Sequence, residues 1–375
     1  MTRVRFRAVA IAIVFLMVGL SFGSNAPSAG GGRPARYNLY FGDLHTHTNY
    51  SDAWTGTPWD AFSAAIAAGA DFMATTDHDS YGFWISPEEW ADTLAAAEFY
   101  TSRTFVAMAG YEAWLACAGE INVFNTVNFP PIPEDPDQRP TPGCEGSPAE
   151  VLPAFYDWLA QEPGAVGQWN HPTYVTHNFH DFRFWNERRD VGMGLIEVWN
   201  DHWFYTEESY VLALDQGWHV MPTANSDTHG ADWISASDLR TVLLAPRLTP
   251  EDLYAAMGAG RGYATADKNL RIQYTLGGQV MGSTLSPSRA TEASIHVEDP
   301  DGVAITLVEI VSDGGEVVAR LVANRSVVDW TITLTSNSAQ YYYVRVSMAS
   351  RPSSVLADFS EEGIAAVTAP VWTGR

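Results

Sequence analysis

From residue 37 to about residue 265, short apolar runs alternate with capped segments of helical pattern. The runs at 37–44, 71–76, 104–111, 165–170, 194–199 and 218–223 have the length and composition of strands. The helix starts between them repeat one device. Ser86-Pro87-Glu88-Glu89, Ser147-Pro148-Ala149-Glu150 and Thr249-Pro250-Glu251-Asp252 each place a hydroxyl N-cap before Pro at the first helical position and an acid at the third. Thr57-Pro58 opens a further helix in the same way, and Gly69 can close it. This rhythm predicts an α/β domain with a mainly parallel sheet, and about seven repeats favour a barrel over an open sheet. Two stretches break the rhythm: 115–146, rich in Pro and Gly, and 172–190, rich in aromatic and charged residues. Both read as long loops that wall a substrate cleft.

After about residue 270 the helical pattern ends. Runs at 305–311 and 316–322 flank Ser312-Asp313-Gly314-Gly315, a hairpin signal, and 330–335 and 341–348 alternate as half-buried strands do. The expectation is an all-β, sandwich-like domain over 269–375 behind an α/β domain over 37–268. At the other end, Arg3, Arg5 and Arg7 precede an apolar run from Ala8 to about Leu20, and small and polar residues follow. That order reads as a signal peptide over 1–29, processed near Ala26 or Ala29. The apolar run is shorter than the ~20 residues of a membrane span. The expectation is therefore export to the periplasm or the exterior, with no stable membrane insertion after processing.

Charge and cysteine content narrow the partners. Lys plus Arg is 21 against 44 Asp plus Glu, a net charge of −23, which argues against a nucleic-acid-binding surface. An anionic substrate has to be drawn in locally, by metal or Arg, against that field. Cys117 and Cys144 share the Pro/Gly-rich stretch and read as one disulfide in an oxidising compartment.

The polar residues carry the chemistry by their position. The first run ends in Leu44-His45-Thr46-His47, with Ser51-Asp52 close behind, and the second in Thr76-Asp77-His78-Asp79. Gly110-Tyr111-Glu112 ends the third, Asn170-His171-Pro172 the fourth, Glu197 lies in the fifth, and the last leads into Asn225-Ser226-Asp227-Thr228-His229. Sites on barrels and parallel sheets assemble at the carboxyl ends of strands. Each motif alone has an ordinary reading as a cap or turn; a set at successive strand ends is what a multinuclear metal site requires. The mixture of imidazole and carboxylate suits Zn²⁺, Mn²⁺ or iron better than Ca²⁺ or Mg²⁺.

In GDLHTHTNYSD, TTDHD, GYE, NHP and NSDTHG, taken in that order over about 37–265, the chain resembles the PHP (polymerase and histidinol phosphatase) superfamily, in particular its exported, carbaryl-hydrolase-like (CehA/McbA-like) branch. The resemblance implies a distorted (β/α)7 barrel holding two or three divalent transition-metal ions. It implies that His45, His47, Glu112 and Asp227 hold the first ion. Glu112 would bridge to a second ion that His171 also ligates, and Asp52, His78 and His229 would hold a third. Where that branch carries a His after the GYE motif, this chain has Glu120, which can ligate through oxygen. The activity implied is hydrolysis of a small-molecule ester by metal-activated water, with Glu112 and Asp227 as catalytic residues. Phosphomonoesters or phosphodiesters come first and carboxyl esters or carbamates second; a non-catalytic, metal-stabilised binding protein is the third reading. Arg183, in the second loop, is the candidate for substrate contact, against plain pairing with Asp181 or Glu187. His177 and His180 in that loop read as ordinary polar residues, Asn200-Asp201-His202 as a further strand end that lines the cleft, and Glu197 as a support behind the ligands or a structural residue. Trp169, Trp185, Trp199 and Trp203 offer either a stacking platform or rim packing.

Overall fold

The computed structural model describes residues 37–80, 83–115, 118–130, 148–172, 177–201, 205–286, 291–335, 339–349 and 363–374. The proposed signal peptide, both cysteines, His202 and Trp203 lie outside them. The first strand, β1 (Asn38–Asp43), is followed by α1 (Pro58–Ala68), β2 (Phe72–Thr75), a short hairpin of β3 (Asp79–Ser80) and β4 (Phe83–Trp84), and α2 (Pro87–Tyr100). Next come β5 (Val106–Trp114), β6 (Glu120–Phe124), α3 (Pro148–Leu159), β7 (Val166–Trp169), α4 (His177–Asp181), α5 (Glu187–Asp190) and β8 (Met193–Asn200). The series closes with α6 (Glu207–Asp215), β9 (Met221–Asn225), β10 (Arg240–Ala245), α7 (Pro250–Gly258) and β11 (Gly262–Thr265).

The caps act as the sequence implies. The Glu89 carboxylate accepts the Ser86 backbone N–H at 2.8 Å, and Ser86 Oγ accepts the Glu89 N–H at 3.2 Å. Asp60 takes the Thr57 N–H at 2.8 Å, and Gly69, with φ 83°, turns the chain out of α1. Ser147 lies outside the described residues.

One strand was hidden in the first loop. The expectation of a long excursion from 115 is corrected by β6, which pairs antiparallel with both β5 and β7. Gly119 makes the turn possible. Its φ is 112°, and a Cβ there would lie 2.4 Å from the Phe179 ring. The main sheet runs β1-β2-β5-β6-β7-β8-β9 on one side of β1, parallel except around β6, and continues through β10 and β11 on the other. No strand ladder joins β9 to β1 among the described residues, so the expected closed barrel is not found. Backbone hydrogen bonds join the two ends just beyond the strands, where Asp227 N–H bonds to His45 O at 2.8 Å and His47 N–H to Thr228 O at 3.0 Å.

The remaining strands are β12 (Arg271–Leu276), β13 (Gln279–Val280), β14 (Thr291–Glu298), β15 (Ile305–Ser312), β16 (Glu316–Arg325), β17 (Val327–Leu334), β18 (Tyr341–Met348), β19 (Ile364–Thr368) and β20 (Val371–Trp372). They divide between two sheets. β13-β12-β14-β17 form a small one, whereas β16-β15-β18-β19 extend the main sheet through the pairing of β19 with β11. The main ladder therefore crosses the expected boundary at 268, and residues 36–375 form one compact unit. No helix among the described residues is long and apolar enough to cross a membrane.

The inner face of the main sheet is graded along each strand. Side chains alternate with period two, so Val106, Met108, Gly110 and Glu112 share one face of β5. The same progression reads Phe72, Ala74, Thr76, His78; Phe124, Asn122, Glu120; Val166, Gln168, Asn170; and Met221, Thr223, Asn225, Asp227. Each begins in one apolar cluster, which holds Phe72, Val106, Met108, Phe124, Val166 and Met221, and four of the five reach a carboxylate or imidazole. The opposite faces, including Ala107, Tyr111, Ile121 and Val123, pack in a second cluster with helical residues such as Phe62 and Trp90. Burial thus delivers polar residues to one end of the sheet.

Candidate metal centre

Four residues from three strand ends converge first. Glu112 Oε2 lies 3.3 Å from both His45 Nε2 and His47 Nε2, and Asp227 Oδ1 lies 3.2 and 3.0 Å from the same two atoms. All four residues are buried, and their donor atoms fall within 4.8 Å of one another. On the far side of Glu112, His171 Nε2 is 3.6 Å from its Oε1 and 3.2 Å from Glu120 Oε2. Glu112 Oε2 is also 3.2 Å from His78 Nδ1, and His78, Glu112 and Glu120 form a second close group. In the third group, Asp52 is 3.6 Å from His78 Nε2 and 3.3 Å from His229 Nε2, with His47 alongside. The structure thus gathers all nine proposed ligands, and Glu112 stands at their centre.

The local backbone explains how. Asp43 ties the first and last strand ends together, accepting the His45 N–H at 3.0 Å and the Ser226 N–H at 3.1 Å. Burial pushes its carboxyl up to about 6, against the lowering effect of those hydrogen bonds. Asp77 braces the loop that carries Asp52, accepting Thr48 N–H and Oγ at 2.6 Å each and Ser51 Oγ at 2.8 Å. His171 and Asp227 have positive φ, 28° and 51°, which side chains adopt only where surroundings hold them. These turns aim two ligands back into the cluster.

The donor set fits divalent ions. His45 Nε2, both ring nitrogens of His47 and His78 Nδ1 are buried without a hydrogen-bond partner, an arrangement that costs free energy unless something fills it. No Lys or Arg forms an ion pair with Glu112, Asp227 or Glu197 among the described residues. Burial works against a charged His47, but Asp227 and Glu112 outweigh it and raise its pKa to about 10. The metal-free chain therefore keeps a proton on His47 at neutral pH. That proton stabilises the metal-free fold below the ordinary imidazole value of 6.5, and the contribution is lost as pH rises through about 10. An ion at His47 Nε2 has to displace it. Zinc binding at pH 7 is expected to release at least about one proton per chain and to weaken about tenfold per unit of acidification for each proton displaced. Calorimetry in buffers of different ionisation heat measures the release; a value of zero would contradict the assignment.

Access is graded. His45, His47 and Glu112 are sealed, whereas the side chains of Asp52, His229 and Glu120 are each exposed by a quarter or more. A substrate would enter from that side. Arg183 is half-exposed and paired with Asp181, and its Nε donates to His180 O at 3.0 Å; none of the described contacts joins it to the cluster. Trp169 and Trp199 are buried packing residues, the former donating to Tyr156 Oη at 2.9 Å, so neither is a stacking platform. The supports Asp43, Asp77, Asn170 and Asn225 each sit one or two residues from a proposed ligand in the motifs quoted, and Asn200 stands at the strand end already singled out; their bracing role rests on contacts that no motif displays.

No family model matches this chain, and no curated protein matches it. Among solved structures it is similar to a two-domain protein from Bacteroides vulgatus containing a predicted PHP-like metal-dependent phosphoesterase, at 15% identity over 90% of this chain and 98% of that one, with a TM-score of 0.48. It is also similar to an amidohydrolase from Chromobacterium violaceum with bound sulfate and no metal, at 16% identity over 50% of this chain and 87% of that one, TM-score 0.34. A third likeness is to endonuclease Q bound to a duplex with an abasic lesion at the active site, at 12% identity over 59% of this chain and 56% of that one, TM-score 0.36. All three likenesses are distant, and the chemistry has to be read from the side chains themselves.

Proposed function

We propose that the chain is an exported metal-dependent hydrolase of the PHP superfamily, in its carbaryl-hydrolase-like branch, which cleaves phosphoesters. The observation that carries this is Glu112, one buried carboxylate with His45, His47 and His78 at one oxygen and His171 near the other. A carboxylate so placed can serve two ions at once. Ions held there would lower the pKa of a bound water to roughly 7 and offset charge on a phosphoryl group. The chain's own part is to hold the ligands. Asn170 Nδ2 donates to Glu112 Oε1 at 2.6 Å, Asp43 and Asp77 fix the ligand loops, and the apolar layer below the cluster excludes water from beneath. Because the chain carries a net charge of −23 and Arg183 is paired with Asp181, the ions would supply the attraction for an anionic substrate.

The test is turnover of chromogenic phosphomonoesters, phosphodiesters, carboxyl esters and carbamates with added Mn²⁺ or Zn²⁺. Phosphoester cleavage that a chelator abolishes and metal restores is the expected result. Cleavage of carboxyl esters or carbamates alone would remove phosphoesters from the reading. No turnover with a metal-dependent melting temperature would leave a binding protein.

A further inference from the structure

We infer that Glu197 is a positioning residue that couples the first ion site to the second, an inference that rests on the metal-centre reading above. Glu197 lies in β8 and is buried, and it coordinates no ion in the proposed scheme. Its two oxygens take four donors. Oε1 faces His45 Nδ1 at 3.1 Å and accepts Asn225 Nδ2 at 2.9 Å. Oε2 accepts the His171 backbone N–H at 2.8 Å and Asn200 Nδ2 at 2.9 Å, and Asn200 Nδ2 also lies 3.2 Å from Asp227 Oδ2. One side chain therefore reaches proposed ligands on two strand ends directly and on a third through Asn200.

Each contact has a consequence for metal binding. Glu197 Oε1 already accepts one N–H, from Asn225, and offers the same acceptor oxygen to His45 Nδ1, which engages that ring nitrogen away from the cluster. Nε2 is then the ring nitrogen turned toward Glu112 and Asp227, at 3.3 and 3.2 Å, where the first ion would sit. On the other oxygen, the bond from His171 N–H holds a residue whose φ of 28° would otherwise relax, and His171 is the ligand beside the second ion. Asn225 fixes the carboxylate in turn, because its Oδ1 accepts Leu44 N–H at 2.9 Å and Thr241 Oγ at 2.9 Å. None of the described contacts links Glu197 to Asp52, His78 or His229.

The experiment compares wild type, Glu197→Gln and Glu197→Asp by zinc titration against a competing chromogenic chelator, with cobalt absorption spectra and metal-free melting curves alongside. Glu197→Gln replaces an acceptor-only group by one that carries its own N–H donors. The tightest zinc affinity is expected to fall about 10–100-fold, with an altered cobalt spectrum. Glu197→Asp keeps the charge but withdraws it by one methylene, and it is expected to weaken zinc in the same direction. It decides the matter if the Gln variant fails to fold. Affinities and cobalt spectra equal to wild type would overturn the inference, even if the metal-free variant melts lower, because that pattern belongs to a purely structural group. A wild-type chain that binds neither zinc nor cobalt would instead refute the metal-centre reading itself.

Discussion

Glu112→Gln is expected to reduce hydrolysis by at least about 10³-fold while the chain stays folded. Gln has nearly the volume of Glu, so the close-packed surroundings of residue 112 persist. What changes is the ligand. The carboxylate lies within 3.3 Å of His45, His47 and His78 through one oxygen, and its other oxygen accepts from Asn170 at 2.6 Å. A neutral amide offers one acceptor and turns an N–H toward the remaining partners, so it cannot serve two cations. Its pKa in the wild type shows the same demand: burial opposes ionisation, yet the imidazoles of His45 and His78 hold Glu112 well below the usual carboxylate range. Without the ions, water keeps a pKa near 15.7 instead of roughly 7, and little hydroxide is available at neutral pH. The check is kcat/KM on whichever ester the panel reveals, together with zinc content and far-ultraviolet circular dichroism. Full activity with a normal metal content would exclude Glu112 from the bridging role.

The convergence of the proposed ligands is legible in the sequence because its signal is local. His45 and His47, His78 after a strand end, and Asp227 with His229 each belong to one short motif, and period-two alternation on β5 and β9 carries Glu112 and Asp227 onto the inner face. Glu120 falls in the stretch that reads as a loop, although Glu120-Ile121-Asn122-Val123-Phe124 alternates as a strand does. The Pro/Gly-rich composition of 115–146 masked that alternation. Glu197 was visible as a polar residue in an apolar run, but its role depends on His45, 152 residues away. No local pattern encodes such a distance. The C-terminal strands show the same limit. Their alternation marks them as strands, whereas the pairing of β19 with β11, which makes them an extension of the main sheet, is a contact between residues about a hundred positions apart.

That long-range attachment sets the second large effect, expected at Glu207. This residue, at the start of α6, is buried, and its carboxylate accepts the Tyr343 hydroxyl at 2.5 Å, the Tyr205 hydroxyl and Arg345 at 3.0 Å. Arg345 is shared with Glu309, at 2.7 and 3.0 Å. At the other end of α6, Asp215 accepts the Tyr341 hydroxyl at 2.7 Å and the Gly314 N–H at 3.1 Å. The helix is therefore clamped to β18 and the neighbouring turn at both ends. It also supports the metal face, since Ser209 Oγ donates to Pro172 O at 2.8 Å, next to His171. Truncation by Glu207→Ala leaves the buried Tyr343 hydroxyl, the part-buried Tyr205 hydroxyl and part of a guanidinium without their acceptor. Breaking a buried pair by removing one partner costs about 3–5 kcal/mol. For a chain of this size that corresponds to a fall in melting temperature of roughly 5 °C. Glu207→Gln, which retains one acceptor, is expected to lose less. A melting temperature within about 1 °C of wild type for the Ala variant would mean that α6 is held by apolar packing alone, and that the C-terminal strands do not brace the wall behind the metal cluster.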